Sequence, residues 1–324
     1  MSAIPDTMRA AAIDQFGGPE VLTTHVLPVP VPDAGDVLIA LHTAGVGSWD
    51  ADIRAGWSPD GGVDFPLVLG TDGSGRVAAV GTHVRRFHEG DDVYSYSWNN
   101  PKGGFYAEYV AVAADRVAHV PVGLDLRHAG AIPTTGLTAL QGIDDALHVR
   151  SREAVLIYGA SGGVGTLAVQ FAKLCGARVL ACASGKDGVA LVRKLGADEA
   201  VDGRHANIAA AVRNFAADGL QAILALAGGE ALEECIAAVR DGGRVAYPNG
   251  IEPGPQQRSG ITIVSYDAVS GVREFEKLGH AVEAAKLKVP IDSEFPLGEA
   301  SKAHSRLARG HVLGKVVLQI RRSP

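Results

Sequence analysis

A glycine-rich segment between an apolar run and a helical pattern carries the strongest chemical signal in the sequence. Residues 154–165 read AVLIYGASGGVG, and a helical pattern continues to Leu174. In the alignment with G-x-G-x-x-G, alanine takes the first position and glycine the other two. Backbone N–H groups of such a turn, with the positive end of the following helix, bind a diphosphate. The residues predicted to hold a dinucleotide at this turn are Ala160, Ser161, Gly162, Gly163, Val164 and Gly165.

The end of the next predicted strand indicates which dinucleotide would bind. The strand Arg178–Ala183 ends without the Asp or Glu that NAD sites place on the ribose 2′-hydroxyl. Ser184 and Lys186 follow it, and a hydroxyl with an ammonium group can bind a 2′-phosphate. The sequence therefore favours NADPH over NADH, with Ser184 and Lys186 as further cofactor-binding residues. Asp187 is expected to cap the next helix.

These motifs need a sheet that positions them, and the pattern over residues 154–247 predicts one. Short apolar runs alternate with helical segments, which is typical of a doubly wound parallel sheet of the Rossmann type. One helix is predicted over residues 128–145, ahead of the first strand. The preceding third of the chain has short strand-like runs broken by Gly and Pro, which predict a twisted, partly closed antiparallel sheet. The fold class is therefore α/β with a second, β-rich part.

Composition and charge exclude several classes of function. The 324 residues include 30 Lys+Arg and 36 Asp+Glu, a formal net charge of −6. Nucleic-acid surfaces are usually strongly basic, so nucleic acid is not expected as a partner. No apolar run approaches the roughly 18 residues of a membrane span, and residues 1–9 lack the apolar core of a secretion signal. Three cysteines without a CxxC pair favour a reducing compartment, so a cytoplasmic location is predicted.

Several ordered motifs across nearly the whole chain resemble the medium-chain dehydrogenase/reductase superfamily. Within it, the chain is most similar to the zinc-independent quinone oxidoreductases, the zeta-crystallin-like branch. Besides the glycine turn, the segments that carry the resemblance are 44–50 (AGVGSWD), 66–75 (PLVLGTDGSG), 90–94 (GDDVY), 103–109 (GGFYAEY), 194–198 (KLGAD) and 313–318 (LGKVVL).

The resemblance implies an architecture and an assembly. Residues 1–127 would form a GroES-like catalytic domain, which the C-terminal segment 273–324 would complete. Residues 128–272 would form the Rossmann domain that binds NADP, and the active site would lie in the cleft between the two. Homodimers or tetramers are usual in this family.

The sequence lacks the zinc ligands of the superfamily's alcohol dehydrogenases. The position that resembles their first Cys is Gly47, and the position that resembles their His is Thr71, followed by Asp72. The eleven histidines show no ligand spacing of a known zinc motif. We therefore expect no metal. Alcohol oxidation through a metal alkoxide is disfavoured, and hydride transfer to an electron-poor acceptor is favoured.

Family roles transfer to a few residues outside the glycine turn. Asp50 and Thr138 match positions that hold the nicotinamide and the substrate. Asp52 stands where many quinone oxidoreductases have a tyrosine beside the substrate, so a tyrosine proton donor is not assigned. Trp49 and Tyr96 are candidates for aromatic walls of the cleft, with barrel packing as the equal alternative for Tyr96. Asn249 follows the last predicted Rossmann strand, at the edge where such sheets bind ligands.

The sequence thus predicts a zinc-independent oxidoreductase that transfers hydride from NADPH to a quinone or another electron-poor acceptor. A first alternative is an NADPH-dependent reductase of enones, alkenals or enoyl thioesters, which would benefit from a proton donor. A second, of another class, is an NADPH-binding regulatory protein with little turnover. The acceptor itself is not determined by the sequence.

Overall fold

The computed structural model describes residues 4–57 and 64–321, which form three β-sheets with helices packed around them. The strands before residue 150 are β1 Thr7–Ile13, β2 Thr23–Pro28, β3 Asp36–Val46, β4 Leu67–Val68, β5 Asp72–Val80, β6 Asp92–Tyr96, β7 Tyr109–Ala113 and β8 Val117–His119. The later strands are β9 Ala154–Tyr158, β10 Arg178–Ala183, β11 Glu199–Asp202, β12 Leu220–Ala225, β13 Val239–Pro248, β14 Thr262–Tyr266, β15 Ile291–Pro296 and β16 Lys315–Gln319.

α-Helices of 4 to 14 residues connect these strands. The α-helices are α1 Ser48–Arg54, α2 Leu126–Ala129, α3 Pro133–Gln141, α4 Gly163–Leu174, α5 Gly185–Lys194, α6 Ile208–Phe215, α7 Glu230–Ile236, α8 Val272–Ala285 and α9 Ala300–Ala308. Three short 3-10 helices cover Pro19–Val21, Ala114–Arg116 and Leu297–Glu299, and a π-helical turn, Gly142–Ala146, extends α3. Within the described ranges, no helix is long and apolar enough to cross a membrane.

The later strands β9–β14 form a six-stranded sheet with the order β11-β10-β9-β12-β13-β14. All its neighbouring strands pair in parallel. The central strand β9 is an apolar run in which Val155, Leu156 and Ile157 are completely buried, as expected for a strand covered by helices on both faces. The doubly wound parallel sheet predicted from the sequence is confirmed.

A mixed seven-stranded sheet forms the β-rich part, with the order β15-β16-β3-β5-β6-β8 and with β7 paired to β3. Strand β3 is eleven residues long and is buried along most of its length. The late strand β16 pairs antiparallel with β3, so the end of the chain returns to the sheet formed by its beginning. This GroES-like part agrees with the predicted fold class.

The structure corrects the predicted elements in several places. The helix predicted over residues 128–145 is divided into α2 and α3, because Pro133 has no N–H with which to continue the first helix and takes the first position of the next. Among the strands without a counterpart in the sequence prediction are β14 and β15. Both contain polar residues and are largely half-buried or exposed, so they lack the apolar pattern of a buried strand.

The glycine turn lies where the two sheet systems meet. The backbone N–H of Gly314, one residue before β16, donates to the carbonyl of Ser161 at 2.9 Å. Gly162 and Gly314 form an isolated parallel β-bridge. On the other side of the junction, the rings of Tyr94 in β6 and Phe275 in α8 pack edge to face, 5.0 Å apart. The chain's two halves are therefore in direct contact around the predicted cofactor site.

Candidate active site

Two glycines of the turn serve different physical purposes. A Cβ on Gly165 would lie 2.4 Å from the carbonyl oxygen of Gly159 and 2.6 Å from the Cα of Ala160, so α4 can approach β9 this closely only without a side chain. A Cβ on Gly162 would meet nothing nearer than the Gly159 oxygen at 3.8 Å. Packing therefore does not explain Gly162. It caps α4 and borders open space, which fits a diphosphate approaching the helix N-terminus.

Strand β10 and the residue after it hold the rest of the turn through hydrogen bonds. Ala160 is completely buried, and its N–H donates to the carbonyl of Cys182 at 2.8 Å. The hydroxyl of Ser161 accepts the N–H of Ser184 at 3.2 Å. The β9–α4 and β10–α5 turns are thus joined directly, so the predicted diphosphate and 2′-phosphate positions lie at one edge of the sheet.

The β10–α5 turn contains more charge than the sequence indicated. Asp187 does not act as the N-cap of α5, a position that Ser184 takes. Its Oδ2 lies 2.9 Å from Nε2 of His311, which keeps the pKa of Asp187 below its usual value. At the end of β11, Asp202 accepts the N–H of Gly185 at 2.9 Å. Lys186 is exposed.

A buried hydrogen-bond chain ends at Asp50, in the first turn of α1. The Oδ2 atom of Asp50 accepts the N–H of Gly47 at 2.8 Å and the hydroxyl of Tyr106 at 3.1 Å. The Tyr106 oxygen lies 3.2 Å from Nε2 of His304, whose Nδ1 lies 2.8 Å from Nη1 of Arg54. Arginine has no acceptor, so Nδ1 of His304 accepts and Nε2 carries the proton. Every donor in the chain therefore points toward Asp50.

Burial sets the protonation of this chain. It raises the pKa of Asp50 to about 7, assisted by the nearby Asp72 carboxylate and opposed by Gly47 N–H, Lys315 and Tyr106. It lowers the pKa of His304 to about 3, assisted by Arg54, so this imidazole is neutral at physiological pH. Burial also raises the pKa of Tyr106 well above its usual value. Asp50 is thus the group in this hydrogen-bond chain whose pKa lies near neutrality.

Polar atoms without hydrogen-bond partners gather next to Asp50. Within the described residues, Oδ1 of Asp50, Oδ1 of Asp72, Oγ1 of Thr134 and Nζ of Lys315 are buried and lack a partner. The side chains of Asp72 and Lys315 approach each other at Gly45. A Cβ on Gly45 would lie 2.4 Å from Asp72 Oδ1 and 2.9 Å from Lys315 Cε. Buried polar groups are normally paired, so this cluster indicates a place where water or a ligand binds.

Trp49 lies between the buried ammonium group and the position that resembles the zinc-binding histidine. Lys315 Nζ is 4.5 Å from the centroid of the Trp49 ring, a cation–π contact. The indole N–H donates to Oγ1 of Thr71 at 2.8 Å. In the part of the chain that the structure describes, no group of three or more His, Cys, Asp or Glu is placed to hold a metal ion.

The structure places the other predicted residues in different surroundings. Thr138 is buried in α3, where its hydroxyl donates to the carbonyl of Thr134 at 2.8 Å. Tyr96 is buried in β6, and burial raises its pKa, with carboxylates of both sheet systems, Asp72 and Asp267, adding to the effect. Tyr96 therefore packs in the core, and its role as a wall of the cleft stays a prediction.

Asp52 and Asn249 lie outside the buried cluster. Asp52 is exposed on α1, on a different face from Asp50. Asn249 is exposed beyond the end of β13, where its amide donates to the carboxylate of Asp267 at 2.7 Å. Asn249 thus lies at the predicted edge of the parallel sheet, whereas Asp52 does not join the other candidate residues.

Sequence reasoning missed four residues of the buried cluster and its hydrogen-bond chain: Thr134, Tyr106, His304 and Lys315. Lys315 is 4 % exposed although it opens a strand, and it lies in the segment LGKVVL that carried the family resemblance. A lysine within a strand that is otherwise apolar was the one available signal. The other three are far from Asp50 in sequence, and nothing in their local patterns links them to it.

A groove with a cavity volume of about 500 Å³ lies elsewhere in the β-rich part. Trp57 and Trp98 form part of its lining, with ring centroids 5.8 Å apart. Among the described residues, its lining includes none of the predicted site residues and none from the parallel sheet. The groove is therefore separate from the glycine turn and from the buried cluster at Asp50.

Comparisons with known proteins agree with this geometry. Residues 33–122 match the alcohol dehydrogenase GroES-like domain family, and residues 195–318 match the zinc-binding dehydrogenase family. A quinone oxidoreductase from Mus musculus is 32% identical over 326 residues, covering 96% of this chain and 97% of its own.

Two solved structures cover 97% of this chain and 100% of their own. One is an NAD-dependent alcohol dehydrogenase, at 33% identity and a TM-score of 0.89. The other is a mycobacterial protein in complex with NADPH, at 27% identity and a TM-score of 0.85.

A GroES-like sheet joined to a Rossmann sheet with a glycine turn at the junction defines the medium-chain dehydrogenase/reductases, and this chain belongs to that superfamily. Its full-length similarity to quinone oxidoreductases places it in their branch. The protein is an oxidoreductase enzyme that uses a nicotinamide cofactor.

Proposed function

We propose that the protein transfers hydride from NADPH to a quinone or another electron-poor acceptor without a metal ion. The observation that carries the proposal is the position of the glycine turn. Its open side at Gly162 lies beside Gly314, and the next residue, Lys315, belongs to the cluster of unpartnered buried polar atoms. A dinucleotide bound at α4 would therefore place its reactive end toward groups from both halves of the chain.

The residues present fit a dinucleotide. The turn from Ala160 to Gly165 would hold the diphosphate, and Ser184 and Lys186 would hold a 2′-phosphate. Thr138 and Asn249 would lie along the nicotinamide half, as the family resemblance implies. The bound nicotinamide supplies the hydride, and the protein orients it and excludes water.

Lys315, Asp72 and Asp50 would set the charge of the acceptor site. With Asp50 protonated, the Lys315 ammonium would lie beside one carboxylate, Asp72, instead of two. The ammonium then provides a fixed positive charge, which favours the negative charge that develops on a carbonyl oxygen when hydride reaches the acceptor. Trp49 packs on this ammonium and, together with Tyr96, would bound the site for a flat acceptor.

One observation favours the alternative of an enone or alkenal reductase. Such a reaction needs a proton for the carbon or oxygen next to the new C–H bond. Asp50, with a pKa raised to about 7 by burial and a partner-free Oδ1, is a protein group that holds a proton near neutrality. A quinone could take its protons from solvent, so a strict dependence on Asp50 would point to the enone reaction.

Loss of the near-ultraviolet absorbance of reduced nicotinamide tests both reactions. NADPH and NADH are compared against phenanthrenequinone, benzoquinone and a 2-alkenal, each with and without a chelator. Quinone-dependent oxidation that the chelator leaves unchanged supports the proposal. Preference for the alkenal supports the alternative, and tight NADPH binding without turnover supports a regulatory protein. Absence of dinucleotide binding, measured by calorimetry, would overturn all three.

Three further features remain predictions, the cytoplasmic location from the cysteine usage and the other two from the family resemblance. These are a homodimer or tetramer, a cytoplasmic location, and the domain boundaries at 1–127, 128–272 and 273–324. Sedimentation of the purified protein and limited proteolysis would test the first and the last of them.

A further inference from the structure

His311 has an unusual backbone conformation at the edge of the predicted cofactor site. Its φ is 49°, in the left-handed region that residues with a side chain rarely adopt. The conformation is held from outside the loop, because Arg306 Nη2 donates to the His311 carbonyl at 3.0 Å and to Asp292 at 2.7 Å. Strained backbone that its surroundings enforce is concentrated at functional sites.

The strained loop brings the imidazole onto the β10–α5 turn. Nδ1 of His311 lies 3.4 Å from Oγ of Ser184, and Nε2 lies 2.9 Å from Oδ2 of Asp187. A Cβ on Gly185 would lie 3.0 Å from Cε1 of the ring, so the glycine leaves room for it. A side chain from the C-terminal loop thus completes the turn where a dinucleotide places its adenosine ribose.

We propose that His311 determines the choice between NADPH and NADH by covering the Asp187 carboxylate, so that a 2′-phosphate is accepted at this turn. The inference rests on the proposed function in one respect, namely that this turn binds a dinucleotide. It adds His311, which lies 125 positions after Lys186, to the predicted phosphate site of Ser184 and Lys186.

The charges around the imidazole explain the selectivity. Asp187 contacts it from the first turn of α5, Asp202 and Arg204 lie at the end of β11, and the paired Arg306 and Asp292 lie behind the loop. Without the imidazole, the Asp187 carboxylate would be uncovered, would repel a 2′-phosphate and could accept ribose hydroxyls of NADH. With the imidazole on Asp187, Ser184 and Lys186 are left to hold the phosphate.

Equilibrium binding of each dinucleotide by calorimetry tests the inference. In His311→Asn we expect NADPH affinity to fall about tenfold, with a much smaller change for NADH. Asparagine tolerates the left-handed backbone but lacks the imidazole that contacts Asp187. Asp187→Asn, added to His311→Asn, should restore NADPH affinity.

His148 provides a matched control. It is an exposed histidine with a φ of 48°, located before β9 at the opposite edge of the parallel sheet. His148→Asn should leave both affinities unchanged. An unchanged ratio of NADPH to NADH affinity in His311→Asn would overturn the inference while leaving the proposed function standing. Failure of both dinucleotides to bind the wild type would overturn the proposed function itself.

Discussion

The hydroxyl of Tyr106 donates to Oδ2 of Asp50 across 3.1 Å, and both side chains are completely buried. The contact joins the strand region before β7 to α1, 56 residues away in the chain. It also closes the chain of donors that begins at Arg54. The pair therefore fixes the orientation of a carboxyl group whose pKa burial raises to about 7.

Tyr106→Phe should lower the free energy of unfolding by about 1–3 kcal/mol, because the N–H of His304 loses its buried acceptor. It should also raise the pKa of Asp50 further, since the Tyr106 hydrogen bond lowers it. Urea denaturation measures the first effect. Tyr94→Phe is the control: its hydroxyl is equally buried but has no partner in the described structure, so its removal should be neutral or slightly stabilising. Equal losses for both variants would contradict the assigned chain.

The protonation of Asp50 predicts a specific pH dependence of stability. Its pKa is raised from 3.8 to about 7, so the unfolded chain releases this proton first as the pH rises. The stabilisation is complete below about pH 4 and is lost by about pH 7, a change on the order of 4 kcal/mol. Asp50→Asn should remove this contribution, which is visible as a flatter profile of unfolding free energy against pH. Asp218→Asn, at an exposed position, should keep the wild-type profile.

Substitutions of the two glycines should separate folding from binding. Gly165→Ala places a methyl group against backbone atoms and should lower the free energy of unfolding by about 3 kcal/mol. Gly162→Ala meets open space and should change stability by no more than about 1 kcal/mol. The same methyl group would occupy the diphosphate position, so NADPH affinity should fall at least about tenfold. Normal NADPH binding by Gly162→Ala would show that the diphosphate lies elsewhere.

Lys315→Met removes the positive charge near the buried carboxyl groups of Asp50 and Asp72. We expect a loss of about 3 kcal/mol at pH 8 and a smaller loss at pH 5.5, where Asp50 is protonated and the remaining charge is lower. Quinone reduction should fall as well. Lys277→Met is the control, because this half-exposed lysine pairs with Asp144 and Asp145 at the surface and should contribute less than about 1 kcal/mol. A loss that does not depend on pH would argue against charge as its cause.

Local patterns were sufficient for the glycine turn and the elements that flank it. The apolar run of β9, the glycine turn and the helix α4 are adjacent in sequence, and each has a period or composition that identifies it. Strands β14 and β15 were missed because they lie beside single partners and carry polar residues. These segments are strands because they pair with β13 and β16, and a strand's own residues do not identify its pairing partner.

The sequence by itself determined the fold class, the dinucleotide turn and the absence of the usual zinc ligands, since these depend on residue types at short spacing. The tertiary structure decided the protonation of Asp50, the approach of Lys315 to Asp72, and the contact of His311 with Asp187. Each of these depends on burial or on charges far apart in the chain. The pKa of a carboxyl group follows from its solvent exposure and its neighbours in space, and folding alone brings those neighbours together.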